Sequence, residues 1–204
     1  MLKRVNFVEF LKRNDPKNHL ESFAKRRKLL LDEMDQSREK KISCIGCSAP
    51  CCTFLKNSMQ ISPLEAMDIY LDLNRKGLWT RGLELRLEET IKTFRLNILI
   101  PTARTGFLRR NYTCPFFSNT ELGCQLDPIV KPYGCLGFNP TVAGKIEGES
   151  CFSNVELMEK REQLDLEEKA ISDRIRDLLK LSWKKETIPQ ALLDIHRNRQ
   201  VLCK

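Results

Sequence analysis

Aromatic residues are scarce in this chain: Phe, Trp and Tyr together make up 7% of its 204 positions. None of the basic runs is interleaved with them, so a stacking platform for nucleic-acid bases is not expected. Long apolar runs are also missing. The stretches from Leu96 to Pro101 and Lys28 to Leu31 are short and flanked by charge, well below the roughly 18 uncharged residues of a membrane-crossing helix. Nine glycines and nine prolines are too few for a collagen-like or low-complexity chain, while 41% hydrophobic residues suffice for a globular core. The amino terminus starts with Lys3 and Arg4, but Glu9 and Lys12 break its apolar part and no small-residue cleavage site follows. A secretory leader is therefore not read there, and a cytoplasmic location is expected. There is no glycine-rich nucleotide fingerprint after a strand and no internal repeat.

What the chain does have is nine cysteines. In a reducing compartment they are not expected to form disulfides, which leaves metal ligation, redox chemistry or buried thiols. Cys44, Cys47, Cys51 and Cys52 fall within nine residues, and Cys114, Cys124, Cys135 and Cys151 follow after a gap. Cys44-Ile-Gly-Cys47 has the spacing that lets two sulfurs converge on one metal, with Gly46 easing the turn between them. Adjacent Cys51 and Cys52 do not readily point into one small site, so one of them is assigned to a second metal or a bridging position. A thioredoxin-like pair is disfavoured because no strand-helix alternation surrounds the first Cys-x-x-Cys. Cys203 stands apart as a lone thiol. His19 and His196 read as surface or capping residues rather than ligands.

The expected fold is mainly α: a small helical domain with a loop-rich, cysteine-bound centre, flanking long helices and no large sheet. Asp15 and Pro16 open a first helix to about residue 40, with Leu20, Phe23, Leu30, Leu31 and Met34 at near-helical spacing. Ser62-Pro63-Leu64-Glu65 is a capping-box start, with Leu64, Met67, Tyr70 and Leu71 as the buried stripe and Gly77 as the stop. A third helix is predicted from about Thr80 to Leu99, using Leu83, Leu87, Ile91, Phe94 and Ile98, with Pro101 beyond it. Glycines and prolines from Thr102 to Cys151 predict loops that bury too little to fix themselves, so a metal would hold them. Ser153 to Glu156 reads as a second capping box opening a helix to about Trp183, with Leu157, Leu164, Ile171 and Leu178 seven residues apart and Ile175 and Leu181 alongside. A short helix from Pro189 to about Arg197 closes the chain. The segments are 1–43, a basic helical part; 44–151, the cysteine-cluster domain; and 152–204, a helical part packed on that domain.

Charge is concentrated at the front. The net charge is +8, and residues 1–43 carry 12 basic and 7 acidic side chains. Lys25-Arg26-Arg27-Lys28 makes the first helix a candidate face for a protein partner. Arg109-Arg110 is a second small basic patch, although solvated faces explain both more simply. Nucleic acid is a minor expectation, no membrane partner is expected, and Glu65, Asp127 and Glu147 are candidate acids near cysteines in sequence, with no catalytic role assigned to them.

The pattern Cys44-x2-Cys47-x3-Cys51-Cys52, the Ser62-Pro63-Leu64-Glu65-Ala66 helix start, Cys114-Pro115-Phe116-Phe117, Cys124 and Lys131-Pro132-Tyr133-Gly134-Cys135 resembles the YkgJ-type cysteine cluster family. That family is described as zinc- or iron-chelating, and the likeness covers residues 44–151. Carried over by position, it implies that Cys44, Cys47, Cys51, Cys52, Cys114, Cys124, Cys135 and Cys151 are metal ligands. The family usually has Arg-Pro before the seventh cysteine and Arg after it, where this chain has Lys131-Pro132 and Leu136. Lysine keeps the charge but not the bidentate geometry. Zinc and an iron-sulfur centre both suit thiolates, as two four-ligand sites or one polynuclear site. The expected function is a metal-binding structural or interaction module. The alternative is an iron-sulfur redox or protein-modifying enzyme, since a related cysteine pattern occurs in flagellin lysine N-methylase.

Overall fold

The computed structural model describes residues 50–101, 108, 110–118, 123–136, 138–140, 151–153 and 168–199, together with helical positions 28, 29, 32, 35, 36, 159, 160, 162, 163 and 166. These residues are mostly helical, and strands form only two short antiparallel pairs. The predicted first helix has only five of its positions among them, and the Asp15 start lies outside.

Helix α1, Pro63–Arg75, starts where the sequence predicts. The Ser62 hydroxyl accepts from the Glu65 amide at 3.3 Å, and the Glu65 carboxylate accepts from the Ser62 amide at 2.9 Å, closing the capping box. Proline takes the first helical position, where its missing N–H costs nothing. At the far end Gly77 turns left-handed at φ +69°, and Leu78 N–H returns to Leu73 O while Gly77 N–H returns to Asn74 O. This pairing satisfies the last carbonyls. The single apolar stripe expected for α1 is corrected: every residue from Pro63 to Tyr70 is buried, with Asp72 and Leu73, while Leu71 is only half-buried. The helix is the centre of the molecule, covered on several sides.

Helix α2, Arg81–Phe94, is capped by Thr80, whose hydroxyl accepts from Leu83 N–H at 3.2 Å. It ends five residues before the predicted Leu99. Arg95 enters the left-handed region at φ 51° and Leu96 N–H returns to Ile91 O, so Leu96 turns inward and is buried, while Ile98 and Leu99 are 49% and 67% exposed. The Arg110 guanidinium donates to Arg95 O at 2.7 Å and Phe94 O at 3.3 Å, covering the helix's terminal carbonyls. Arg110 is thus a helix cap rather than part of a free basic patch.

Strand β1, Gln60–Ile61, leads into α1. A short helix α3, Tyr133–Leu136, and strands β2, Phe138–Pro140, and β3, Cys151–Ser153, follow α2; β2 and β3 pair with Pro140 opposite Cys151. Ser153 belongs to β3, and Asn154 to Glu156 of the predicted second capping box lie outside the described residues. Helix α4, Lys169–Leu178, stops short of Trp183 because Lys180 turns left-handed at φ 53° and Leu181 N–H returns to Arg176 O. Its buried face is Ile171, Ile175 and Leu179, spaced by four, and Leu178 is only half-buried. Of the predicted seven-residue series, Ile171 is buried and Leu178 half-buried, Leu157 and Leu164 lie outside the described residues, and the packing of this face on the core agrees with a helix laid on an intramolecular bundle.

Strand β4, Glu186–Thr187, pairs with β1 in the register Gln60 with Thr187 and Ile61 with Glu186. Helix α5, Ile188–Asn198, follows at once, so the strand pair sets the starts of α1 and α5 side by side. α1 packs against α5, α4 and the Pro128–Val130 turn, and α2 packs against α5. One hydrophobic cluster joins Leu64, Met67, Ile69, Leu87, Ile175, Leu192 and Ile195 with Cys114, Phe116, Leu126 and Val130. A fully buried Leu or Ile contributes roughly 1.5–3 kcal/mol, so this shared core dominates the packing. The expectation that the loop-rich stretch buries too little is thereby corrected for its described part: Cys114, Phe116, Leu126 and Val130 join the main core. None of the described helices is long and apolar enough to cross a membrane.

Candidate functional site

Three segments bring cysteines to one side of this core. The first is the 3-10 turn Pro50–Cys52 and the chain after it, where Thr53 O accepts from the Lys56 and Asn57 amides. The second comprises residues 111–118 with Gly123 and Cys124, and its start lies along the first. Cys114 N–H donates to Cys52 O at 2.7 Å, Phe54 N–H to the Thr113 hydroxyl at 3.2 Å, and Tyr112 N–H to Asn57 O at 2.9 Å. The Asn57 side-chain amide answers to Tyr112 O at 2.9 Å. The Tyr112 side chain is fully buried. Its hydroxyl donates to Met59 O at 2.7 Å and accepts from Ile188 N–H at 3.1 Å.

Beyond Cys114 the chain doubles back. Phe117 N–H bonds Cys114 O, Gln125 N–H bonds Phe116 O, and Phe117 bridges Cys124. Gly123 at φ +58° supplies a backbone angle that other residues adopt at a cost. The third segment carries Cys135, whose amide bonds Pro132 O at 2.9 Å. It is tied to α1 by Glu65: the oxygen not used in the capping box accepts from Tyr133 N–H at 3.1 Å.

Cys51, Cys52, Cys114, Cys124 and Cys135 thus share one neighbourhood, and each of Cys52, Cys114 and Cys135 feels the charge of others in the set. Burial pushes the Cys114 thiol up to about 12, while hydrogen bonds from the Phe116 and Phe117 amides pull the other way. Pro115 has no N–H of its own, so the two amides after it are the ones that favour a Cys114 thiolate. Burial also raises Cys135 well above the ordinary thiol range, with Cys114 and Cys124 adding to the rise, Lys131 opposing it and Glu65 adding again. For Cys52 the hydrogen bond with Cys51 favours the thiolate, but burial and the charges of Cys114, Cys135 and Cys124 outweigh it. All of these sulfurs are soft donors suited to zinc or iron. Several thiolates crowded together repel one another, and a bound cation reverses that effect while releasing their protons. The donor set therefore fits a thiolate-bound metal. Among the described residues, no three Cys, His, Asp or Glu side chains already have the arrangement of a metal cage.

Cys44 and Cys47 lie outside the described residues, and of Cys151 only the backbone, in β3, is described. The acids near the cysteines have structural tasks. Glu65 anchors two backbone segments, and Asp127 accepts from Lys76 Nζ at 2.5 Å, an ammonium that also reaches Asp72 at 2.7 Å. Lys76 first of all holds Asp127 below its usual carboxylate range. Glu147 and His19 lie outside the described residues.

His196, read as a surface or capping residue, is largely enclosed. It stacks on Trp79 at 4.7 Å, Nε2 lies 3.1 Å from Glu84, and Nδ1 lies 3.3 Å from the Tyr70 hydroxyl. Burial lowers its pKa, with Arg199 and Arg197 acting the same way and Glu84 opposing. A neutral ring with the proton on Nε2 fits both neighbours, donating to Glu84 and accepting from Tyr70. The sequence also gave no sign of an open cleft of about 270 Å³ between α2 and the Cys114 segment, lined by Arg86, Glu89, Thr93, Phe94, Thr113 and Cys114 among others.

No protein-family model matches the chain, and no curated protein or solved structure matches it. The likeness to the YkgJ-type family rests on the motif residues alone.

Proposed function

We propose that the chain is a metal-binding protein of the YkgJ type, holding zinc or an iron-sulfur centre through its cysteine cluster and acting as a structural or interaction module. The observation that carries this reading is the meeting of Cys51, Cys52, Cys114, Cys124 and Cys135 from three separate segments. Packing alone gives no reason to gather five thiols. Cys44, Cys47 and Cys151 complete the proposed ligand set by their motif positions. Two four-thiolate zinc sites would use all eight sulfurs and leave no open coordination position, which suits a stabilising role. An iron-sulfur centre offers several metal atoms and so accepts Cys51 and Cys52 as neighbouring ligands. We propose a cytoplasmic location, where thiols stay reduced, and a protein partner for the basic segment that the sequence predicts to be helical over residues 15–40.

A second reading, from the related cysteine pattern of flagellin lysine N-methylase, is an iron-sulfur redox or protein-modifying enzyme.

The test is anaerobic purification of the untagged protein, with zinc, iron and acid-labile sulfide measured beside the visible spectrum. About two zinc ions per chain without sulfide match two filled thiolate sites. A brown protein with iron and sulfide moves the reading to the iron-sulfur centre. Cys52→Ser, Cys114→Ser and Cys135→Ser should each lower the metal content, and unchanged content in all three overturns the proposal.

A further inference from the structure

We propose that Glu65 is the positioning residue of the cysteine site, its two carboxylate oxygens clamping the start of α1 to the turn that carries Cys135. This inference rests on the metal-binding reading above and assigns a task within that site. A capping box by itself needs one acceptor at this position, and glutamine serves as well as glutamate. Here both oxygens face backbone donors from different segments: one accepts from Ser62 N–H at 2.9 Å and the other from Tyr133 N–H at 3.1 Å. Glu65 is 3% exposed, so water does not replace a lost bond easily. An amide has only one oxygen. If Glu65→Gln keeps the cap, its NH2 group faces the Tyr133 N–H, donor against donor; if it turns over, the cap is lost instead.

The second bond acts two residues before Cys135, whose own amide is held by Pro132 O at 2.9 Å. Fixing Tyr133 therefore fixes the direction in which the Cys135 side chain leaves the backbone. Glu65 and Lys131 are also close enough for their charges to bear on the Cys135 thiol, in opposite directions. Outer partners that orient a ligand typically change metal affinity by about 10–100-fold when removed.

Ser62→Ala is the control. It deletes the hydroxyl that caps the Glu65 amide but keeps the residue-62 N–H and leaves the bond to Tyr133 intact. Cobalt(II) is titrated into metal-free, reduced protein, following the thiolate-to-cobalt absorption. Separately, the alkylation rate of Cys135 by iodoacetamide is read in the metal-free protein by peptide mass spectrometry. Glu65→Gln should weaken cobalt binding at least about tenfold and speed Cys135 alkylation, while Ser62→Ala stays close to wild type in both. Equal behaviour of the two variants overturns the positioning role. If wild type takes up no cobalt, the metal reading fails, while the alkylation comparison still decides whether Glu65 holds the Cys135 turn. Should Glu65→Gln fail to fold, hydrogen exchange at the Tyr133 amide of the wild type decides: protection supports the clamp, and exchange at the rate of a free amide overturns it.

Discussion

Tyr112→Phe removes one oxygen atom and leaves the ring, so it tests the hydrogen bonding of a fully buried hydroxyl almost alone. That hydroxyl donates to Met59 O and accepts from Ile188 N–H, the first amide of α5. The amides of a helix's first turn have no partner inside the helix. Thr187 precedes α5 and would be the local candidate to cap it, but makes no side-chain cap bond. The Thr187 hydroxyl is buried and faces the Glu186 carboxylate, opposing the rise that burial imposes on it. A tyrosine distant in sequence serves the first amide instead. Leaving a buried N–H or C=O unpaired costs roughly 1–3 kcal/mol each. Ile188 is 1% exposed and carries the full cost, whereas Met59 is half-buried and recovers part of it from water. The expected loss is about 2–3 kcal/mol, or a fall of about 1 M in the urea midpoint for a slope of about 2–3 kcal/mol/M. Trp79 and Trp183 provide the fluorescence signal, with circular dichroism required to give the same transition. Tyr70→Phe is the comparison, because the contact of the Tyr70 hydroxyl with His196 is longer, at 3.3 Å, and part-buried, and it should cost less than Tyr112→Phe. A Tyr112→Phe loss below about 0.5 kcal/mol would refute the reasoning, since an unpaired amide cannot be that cheap if water is excluded.

Thr187→Val replaces a buried hydroxyl that favours the Glu186 carboxylate by a methyl of the same shape and should cost about 1 kcal/mol in thermal unfolding; an unchanged melting temperature would show that this contact contributes nothing. The left-handed residues should respond with opposite signs. Gly77→Ala meets no atom within 4 Å of the added Cβ and should lose about 1 kcal/mol through backbone strain alone, whereas Lys180→Gly relieves such strain and should gain up to about 1 kcal/mol. Melting temperatures that move the same way in both would refute that account. For His196 the folded state lowers the pKa, so the unfolded chain binds the proton more readily. Its contribution to stability is therefore complete above about pH 6.5, the ordinary histidine value, and is lost as pH falls from there through the lower folded value. Glu84, held below its usual range first by Arg81 and then by Trp79, adds a separate loss at more acid pH. The melting-temperature drop from pH 7.5 to 5.5 should shrink in His196→Gln, and an equal drop in wild type and variant would exclude this histidine as its source.

The sequence alone determined those features whose signals are local. Ser62, Pro63 and Glu65 start α1 through contacts within one turn, and Gly77 ends it because glycine takes a left-handed angle cheaply. Thr80 starts α2 and Pro189 lies in the first turn of α5 in the same way. The candidate cysteines were also legible, since four thiols in nine residues need no fold to be noticed. Only tertiary structure decided the rest. Arg95 and Lys180 end their helices in the left-handed region without a glycine to announce it. The cost is roughly 1–2 kcal/mol each, and it is offset when Leu96, Leu181 and Trp183 turn into the core. The burial of α1 on nearly every side comes from neighbours far along the chain, and so do the second bond of Glu65, the capping of α5 by Tyr112 and the enclosure of His196. Each depends on a group far away in sequence, which no pattern of nearby residues encodes, and the same holds for the meeting of Cys51, Cys52, Cys124 and Cys135 with Cys114.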